Sequence, residues 1–211
     1  MSGAWSHDHL FSSDKQDWST PRALYDLLSV RWGPFTLDAA ATPVNTRCER
    51  WLGPGGVHED ALTAPWDDNP LRVGLGGPIW LNPPYGRKVG RWLTRAREQS
   101  ALTGRKVVCL TFARTDTRWW HDEVMRYASF VDLFRGRVVF TDPQGNPNLG
   151  RAKGSTKLRI LPAPAPSCAI VFLGCGGSPT FWSLDRPQEA WDQPGWAPPG
   201  GWHAVAEPRA P

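Results

Sequence analysis

The sequence predicts an α/β fold with a mostly parallel sheet and a terminal antiparallel hairpin, on three observations. Short apolar runs bounded by glycine and proline, at Pro78–Leu81, Val107–Phe112 and Ala169–Leu173, read as buried strands. Helical patterns alternate with them, as in βαβ units. Phe130–Phe134 and Arg137–Phe140 read as two further strands of a sheet expected to end in a hairpin.

Each element has its own justification. Pro21 through Val30 is predicted helical, with Thr20 as N-cap and Pro21 at the first helical position. Phe35–Asp38 is a short strand ending in an acid and followed by the small residues Ala39, Ala40 and Ala41. Gly86–Leu102 is a helix that buries Val89, Trp92, Leu93 and Ala96. Val107–Phe112 is the central strand. Asp116 is an N-cap candidate for a helix reaching Tyr127. Trp119 and Trp120 on that helix diverge, so at least one is core, and Trp119 is the favoured one. Ala169–Leu173 closes the sheet. The 211 residues suit one domain, over 14–177, after a flexible N-terminus at 1–13. Residues 141–166 are a basic, Gly- and Pro-rich insertion, and 178–211 are a Pro- and Trp-rich tail.

The most informative residues are Asn82-Pro83-Pro84-Tyr85. They follow a strand, and two prolines stop that strand and stiffen the turn. The turn sits at the carboxyl end of a strand, where α/β sheets bind ligands. It presents a side-chain amide oxygen (Asn82), a backbone carbonyl (Pro83) and an aromatic face (Tyr85). Two acceptors and one ring suit a planar substrate bearing an amino group, and adenine is such a substrate. Its exocyclic nitrogen is a poor nucleophile because its lone pair is delocalised. If Asn82 and Pro83 each accept one hydrogen, the nitrogen can pyramidalise toward an electrophilic methyl group. This is stabilisation of developing charge by fixed dipoles. A base inside a stacked duplex cannot reach such a site, so it must be extruded, and Tyr85 would replace the stacking it loses. An ordinary proline turn capped by Tyr85 is the plainer reading of the same four letters.

Two acids precede this platform. Asp38 ends a strand, where an acid can bind a ribose hydroxyl or an amino group, or can cap a helix. Asp60 follows, in Glu59-Asp60-Ala61-Leu62, and could equally be a solvated loop acid. In this setting the chain resembles the small phage and prophage DNA adenine methyltransferases of the Dam type, from about Asp14 to Leu173. The resemblance is carried by Trp18-Ser19-Thr20-Pro21, Gly33-Pro34-Phe35-Thr36-Leu37-Asp38-Ala39-Ala40-Ala41, Asn45 with Cys48, and Asp60-Ala61-Leu62. It continues through Asn82-Pro83-Pro84-Tyr85, Arg114-Thr115-Asp116-Thr117-Arg118-Trp119-Trp120-His121, and Gly136-Arg137 with Val138-Val139-Phe140.

The resemblance implies a Rossmann-like S-adenosylmethionine-dependent methyltransferase fold, with S-adenosylmethionine as cofactor. Thr20 and Pro21 match the segment that closes over the donor's methionine part. Asp38, with Ala39 and Ala40, matches the first donor-binding motif. Asp60, with Ala61, looks like the acid that reads the donor's adenine. Asn82, Pro83, Pro84 and Tyr85 match the catalytic tetrapeptide. The chain departs from many methyltransferases in carrying alanines and Thr42-Pro43 where a glycine-rich turn follows the first strand; similar small phage enzymes share this feature. Cytosine-N4 methylation, glutamine methylation on a protein, and non-catalytic DNA binding on such a fold are the competing readings.

The expected partner is double-stranded DNA with a flipped adenine. Net charge is +4, and seven basic residues against one acid fall between Arg87 and Lys106. Arg87, Lys88 and Arg91 begin just after the catalytic turn, within reach of phosphates beside a flipped base. Arg151, Lys153, Lys157 and Arg159 make residues 141–166 the candidate DNA-contacting loop, with plain disorder as its alternative. The interval from Asp38 to Asn82 is too short for a target-recognition domain, so a short or relaxed target is expected. Four cysteines without paired spacing suggest neither zinc nor disulfides, and Cys109 and Cys168 read as core. With no metal, signal peptide or long apolar stretch evident, a cytoplasmic protein is expected.

Overall fold

The computed structural model describes residues 19–67, 76–151, 158–160, 163, 165–174 and 178–184. Lys153 and Lys157 lie outside these residues, as does the expected flexible N-terminus. The elements run α1 (Arg22–Trp32), β1 (Leu37–Asp38), β2 (Ile79–Leu81), α2 (Val89–Thr103), β3 (Val107–Phe112), a π-helical turn (Trp120–Val124) continuing into α3 (Met125–Tyr127), β4 (Phe130–Phe134), β5 (Leu149–Arg151), β6 (Leu158–Ile160), β7 (Ser167–Phe172) and β8 (Thr180–Leu184).

Six strands form one mixed sheet in the order β1-β2-β3-β7-β4-β8. The β1–β2, β2–β3 and β4–β8 pairs are parallel, and β7 is antiparallel to both β3 and β4. The strand alternation sorts side chains onto two faces. Val107, Cys109, Ile170 and Phe172 share one cluster with Leu93 and Ala96 of α2 and with Trp120. Val108, Leu110, Ala169 and Val171 face the other way and pack with Leu24, Tyr25 and Leu28 of α1. The result is a three-layer α/β arrangement with both sheet faces covered, which is why β3 and β7 are buried at every position.

Several sequence expectations are corrected. The terminal hairpin does not form. Gly136 takes a left-handed φ of 85° and turns the chain away after β4. Arg137–Phe140 is not a strand; Val138 and Phe140 are buried, and each carbonyl accepts a single backbone N–H, from Ala163 and Asn148. The partner of β4 is instead β7. That strand does not close the sheet but sits inside it, as its two apolar faces require. The edge is β8, which lies within the segment read as a tail from Ser178. Helix α1 begins one residue later than expected, with Pro21 at the N-cap position and no side-chain cap, so Thr20 does not cap it. Asp116 lies in the turn before a helix that starts at Arg118 and is not its N-cap, and Thr117 Oγ1 donates to the Arg114 carbonyl at 2.7 Å. Of the tryptophan pair, Trp120 is the fully buried one at 2% exposure, while Trp119 packs at the core's edge against Gly90.

Two buried polar anchors hold the layers together. Asp132 on β4 is fully buried and accepts from Arg31 Nε at 2.8 Å, Arg31 Nη2 at 3.0 Å and Trp32 Nε1 at 2.6 Å, clamping the end of α1 to the sheet. Arg105 is buried at the start of β3, where it donates to the Gly77 carbonyl and to Thr36 Oγ1, both at 2.8 Å.

Candidate active site

β1, β2 and β3 run parallel, and β4 runs in the same sense, so their carboxyl ends share one edge of the sheet. Asp38 ends β1 and Asn82 follows β2. A shallow open cleft lies between them, lined by Ser19, Thr20, Asp38, Ala40, Asn45, Arg47, Trp80 and Asn82.

The chain is brought to this cleft by specific local contacts. Ser19 and Thr141 exchange two backbone hydrogen bonds, which place Thr20 on one wall. The segment after β1 is held by Trp51 and Leu52, which run beside Asp38; Ala41 N donates to the Leu52 carbonyl at 3.0 Å. Gly53, at φ 133°, closes this loop, and a Cβ there would stand 2.1 Å from the Ala41 carbonyl oxygen. Only glycine permits that approach. Asn45 Oδ1 accepts from Thr42 N at 2.7 Å and shapes the turn that carries Arg47.

Asp38 is 2% exposed. Its two oxygens accept from the backbone N–H groups of Ala40 at 3.4 Å and Arg47 at 3.0 Å. Burial pushes its carboxyl up to about 6, only partly offset by these two donors and by the Arg47 charge. Arg47 Nη2 donates to the Thr20 carbonyl, and burial lowers its guanidinium below the ordinary value. Three polar atoms on the cleft residues, Ser19 Oγ, Thr20 Oγ1 and Arg47 Nε, are buried without a hydrogen-bond partner.

At the platform, Pro83 is buried, Pro84 exposed and Tyr85 half-buried. The Tyr85 hydroxyl donates to Asn82 Oδ1 at 2.8 Å, and its ring stacks on Phe112 at 4.3 Å between centroids. Phe140 meets the same ring edge-on at 5.4 Å. The phenolic proton is held more tightly than usual, chiefly because the hydroxyl is buried. Gly86, at φ 134°, then turns the chain into α2.

Other sequence-predicted site residues are placed as follows. Pro21 is buried beside the cleft residues Ser19 and Thr20, and Ala39 is buried in the core behind Asp38. Asp60 and Ala61 are not among the cleft residues. Asp60 accepts from its own turn, from Leu62 N at 2.9 Å and Thr63 Oγ1 at 3.0 Å, and Ala61 is core. Arg87, Lys88 and Arg91 are exposed at the start of α2. Arg95 and Arg97 are held within the fold, on the Ala64 carbonyl at 2.6 Å and Glu123 at 2.9 Å. Arg151 and Arg159 fall on an antiparallel ribbon of β5 and β6, where a structureless loop was expected. Arg47 and Asn45 were missed as cleft residues. Asn45 was read only as part of the family resemblance, and the signal for Arg47 was its position in the turn after the acid-ended strand.

An α/β domain whose parallel strands end at one cleft has the layout in which such sheets bind ligands. Residues 7–166 match the family model described as DNA N-6-adenine-methyltransferase (Dam), and the chain belongs to that family. It is therefore an adenine-specific DNA methyltransferase. Among curated relatives, the DNA N-6-adenine-methyltransferase of Haemophilus phage HP1 (strain HP1c1) is 29% identical over 129 residues, 61% of this chain and 68% of the relative. The DNA N-6-adenine-methyltransferase of Escherichia phage T1 is 37% identical over 70 residues, 33% of this chain and 25% of the relative.

Proposed function

We propose that the chain transfers the methyl group of S-adenosylmethionine to the amino nitrogen of an adenine extruded from duplex DNA, on a Rossmann-like donor-binding sheet. The observation that carries this reading is that Asp38 and Asn82 line one cleft from adjacent parallel strands. A donor held at Asp38 then meets its acceptor at Asn82. The unpartnered polar atoms of Ser19, Thr20 and Arg47 fit a ligand rich in hydrogen-bonding groups.

When bound, the donor supplies an electrophilic methyl group. The protein's part is to hold the acceptor. Asn82 Oδ1 accepts one amino hydrogen of the flipped adenine; a carbonyl oxygen has two lone pairs, so the Tyr85 hydroxyl and the base can share it. The Pro83 carbonyl accepts the other hydrogen. Both dipoles strengthen as positive charge grows on the nitrogen. No general base is required, because the proton can leave after transfer. A base laid against Tyr85 would extend the stack that already joins Tyr85 to Phe112. Arg87, Lys88 and Arg91 beside the platform, with Arg151 and Arg159 on the ribbon and Lys153 and Lys157 between them in sequence, hold the phosphates. The two relatives named above are phage proteins, and the enzyme's DNA would be met in the cytoplasm of a bacterial host.

Digestion of DNA from expressing cells to nucleosides, followed by mass spectrometry, tests the reaction. N6-methyladenine should rise, and N4-methylcytosine alone would reject the base assignment. Asn82→Ala should slow methylation by about a hundredfold, the effect of removing one preorganised group. An unchanged rate would reject the mechanism.

A further inference from the structure

Arg47 is charged, lines the cleft and has no part in the steps above. Its Nη2 is anchored on the Thr20 carbonyl and its backbone N–H on Asp38 Oδ2, yet Nε is buried with no hydrogen-bond partner. Ser19 Oγ and Thr20 Oγ1, on residues of the same cleft, are buried and unpartnered as well. An unsatisfied buried donor costs its full desolvation, and more when it is charged. Three such atoms belong to residues that line one cleft, so a ligand bound there could supply the partners they lack.

The chemistry of that ligand follows from its neighbours. A guanidinium is a rigid planar fork that matches a carboxylate or a phosphate. Adjacent hydroxyls can donate to the same oxygens. Asp38, however, stands in the same cleft, and its carboxylate would repel a DNA phosphate. A guanidinium and a carboxylate side by side complement a zwitterion, with an anionic and a cationic group on neighbouring atoms. The α-amino acid end of the donor is such a group.

We infer that Arg47 binds the α-carboxylate of the donor's methionine moiety, with the ammonium group on the Asp38 side. Arg47 is thus a specificity-determining contact for an intact amino acid end. The inference rests on the S-adenosylmethionine reading above.

Calorimetry on the full chain tests it with three ligands: S-adenosylhomocysteine, its decarboxylated analogue, and methylthioadenosine, which lacks the whole amino acid end. Loss of the carboxylate alone should weaken binding to the wild type by about 10- to 100-fold, the range for a hydrogen bond to a charged group. Arg47→Met should lose the same factor toward S-adenosylhomocysteine and bind the other two ligands as the wild type does. Arg47→Lys keeps the charge without the fork and should fall between the two. Equal weakening of all three ligands by Arg47→Met would make the residue merely structural and overturn the inference. So would wild-type protein that binds the decarboxylated analogue as well as S-adenosylhomocysteine, a measurement that needs no folded variant. Wild-type protein that binds no S-adenosylhomocysteine at all would instead reject the donor reading, and the inference with it.

Discussion

Tyr85 does two things at once, and substitution separates them. Its ring packs on Phe112, and its hydroxyl donates to the Asn82 amide oxygen, the group proposed to accept an amino hydrogen of the base. On stacking alone, Tyr85→Phe would be harmless. With the hydroxyl bond lost, the Asn82 amide is free to rotate and can turn its NH₂ group toward the substrate. Tyr85→Phe should therefore lower single-turnover methylation about fivefold, the worth of one net hydrogen bond, and leave donor affinity unchanged. Tyr85→Ala also loses the ring, and a further loss of about tenfold is expected from the 1–3 kcal/mol that base stacking contributes. Wild-type turnover in Tyr85→Phe would mean that the amide is held by something else.

Asp38 illustrates a site residue that costs stability. Its carboxyl sits at about 6 against an ordinary 3.8, so the native state binds this proton more readily than the unfolded chain does. The stability linked to it is fully present below pH 3.8 and is lost as pH rises through about 6. The loss amounts to about 3 kcal/mol, the two-unit shift taken at 1.36 kcal/mol each. Asp38→Asn removes this dependence. Urea titrations should show the Asn variant gaining on the wild type by about that amount between pH 4 and pH 7. A difference that does not change with pH would mean that Asp38 keeps its ordinary proton affinity. Binding of S-adenosylhomocysteine should move the opposite way, weakened in Asp38→Asn because a neutral amide cannot neutralise an ammonium group.

At the scale of elements, the basic segments separate by what their charges touch. In α2, Arg95 and Arg97 hold the helix to its neighbours, and Arg105 just beyond it is buried in the sheet, so only the exposed helix start is left to face DNA. The other basic element is the ribbon, whose register pairs Gly150 with Arg159 and Arg151 with Leu158. Each phosphate contact displaces condensed counterions from the duplex. Replacing Arg151, Lys153, Lys157 and Arg159 with Ser should therefore flatten the logarithmic salt dependence of DNA binding by up to about three or four, at roughly 0.9 per contact. A fluorescent duplex titrated at several salt concentrations gives both slopes. An identical slope in the two proteins would move the DNA onto Arg87, Lys88 and Arg91. Donor affinity should not change, because the donor is proposed to bind at Asp38 and not at these four residues.

Across the whole molecule, what could be read from the chain is what depends on near neighbours in sequence. The run Val107–Phe112 is a strand at the expected limits because six consecutive apolar or small residues leave no other economical conformation. The platform was legible for the same reason: two prolines after a strand impose a turn whatever surrounds it. The acid at the end of β1 and the basic start of α2 also follow from local pattern. Long-range pairing is not written in that way. Nothing near Ser167–Phe172 says that it inserts antiparallel between β3 and β4, and nothing near Thr180–Leu184 distinguishes an edge strand from a tail. Those choices rest on which apolar faces can be buried together. The Arg31–Asp132 clamp, 101 residues apart in sequence, exists only once α1 lies on β4. The cleft has the same origin. Asp38 and Asn82 could be named from the sequence, but Arg47 reaches the cleft only because the loop folds it between Thr20 and Asp38. Burial then gives one carboxyl a high proton affinity and leaves one guanidinium nitrogen without a partner, and burial is a property of the packed molecule rather than of any segment of it.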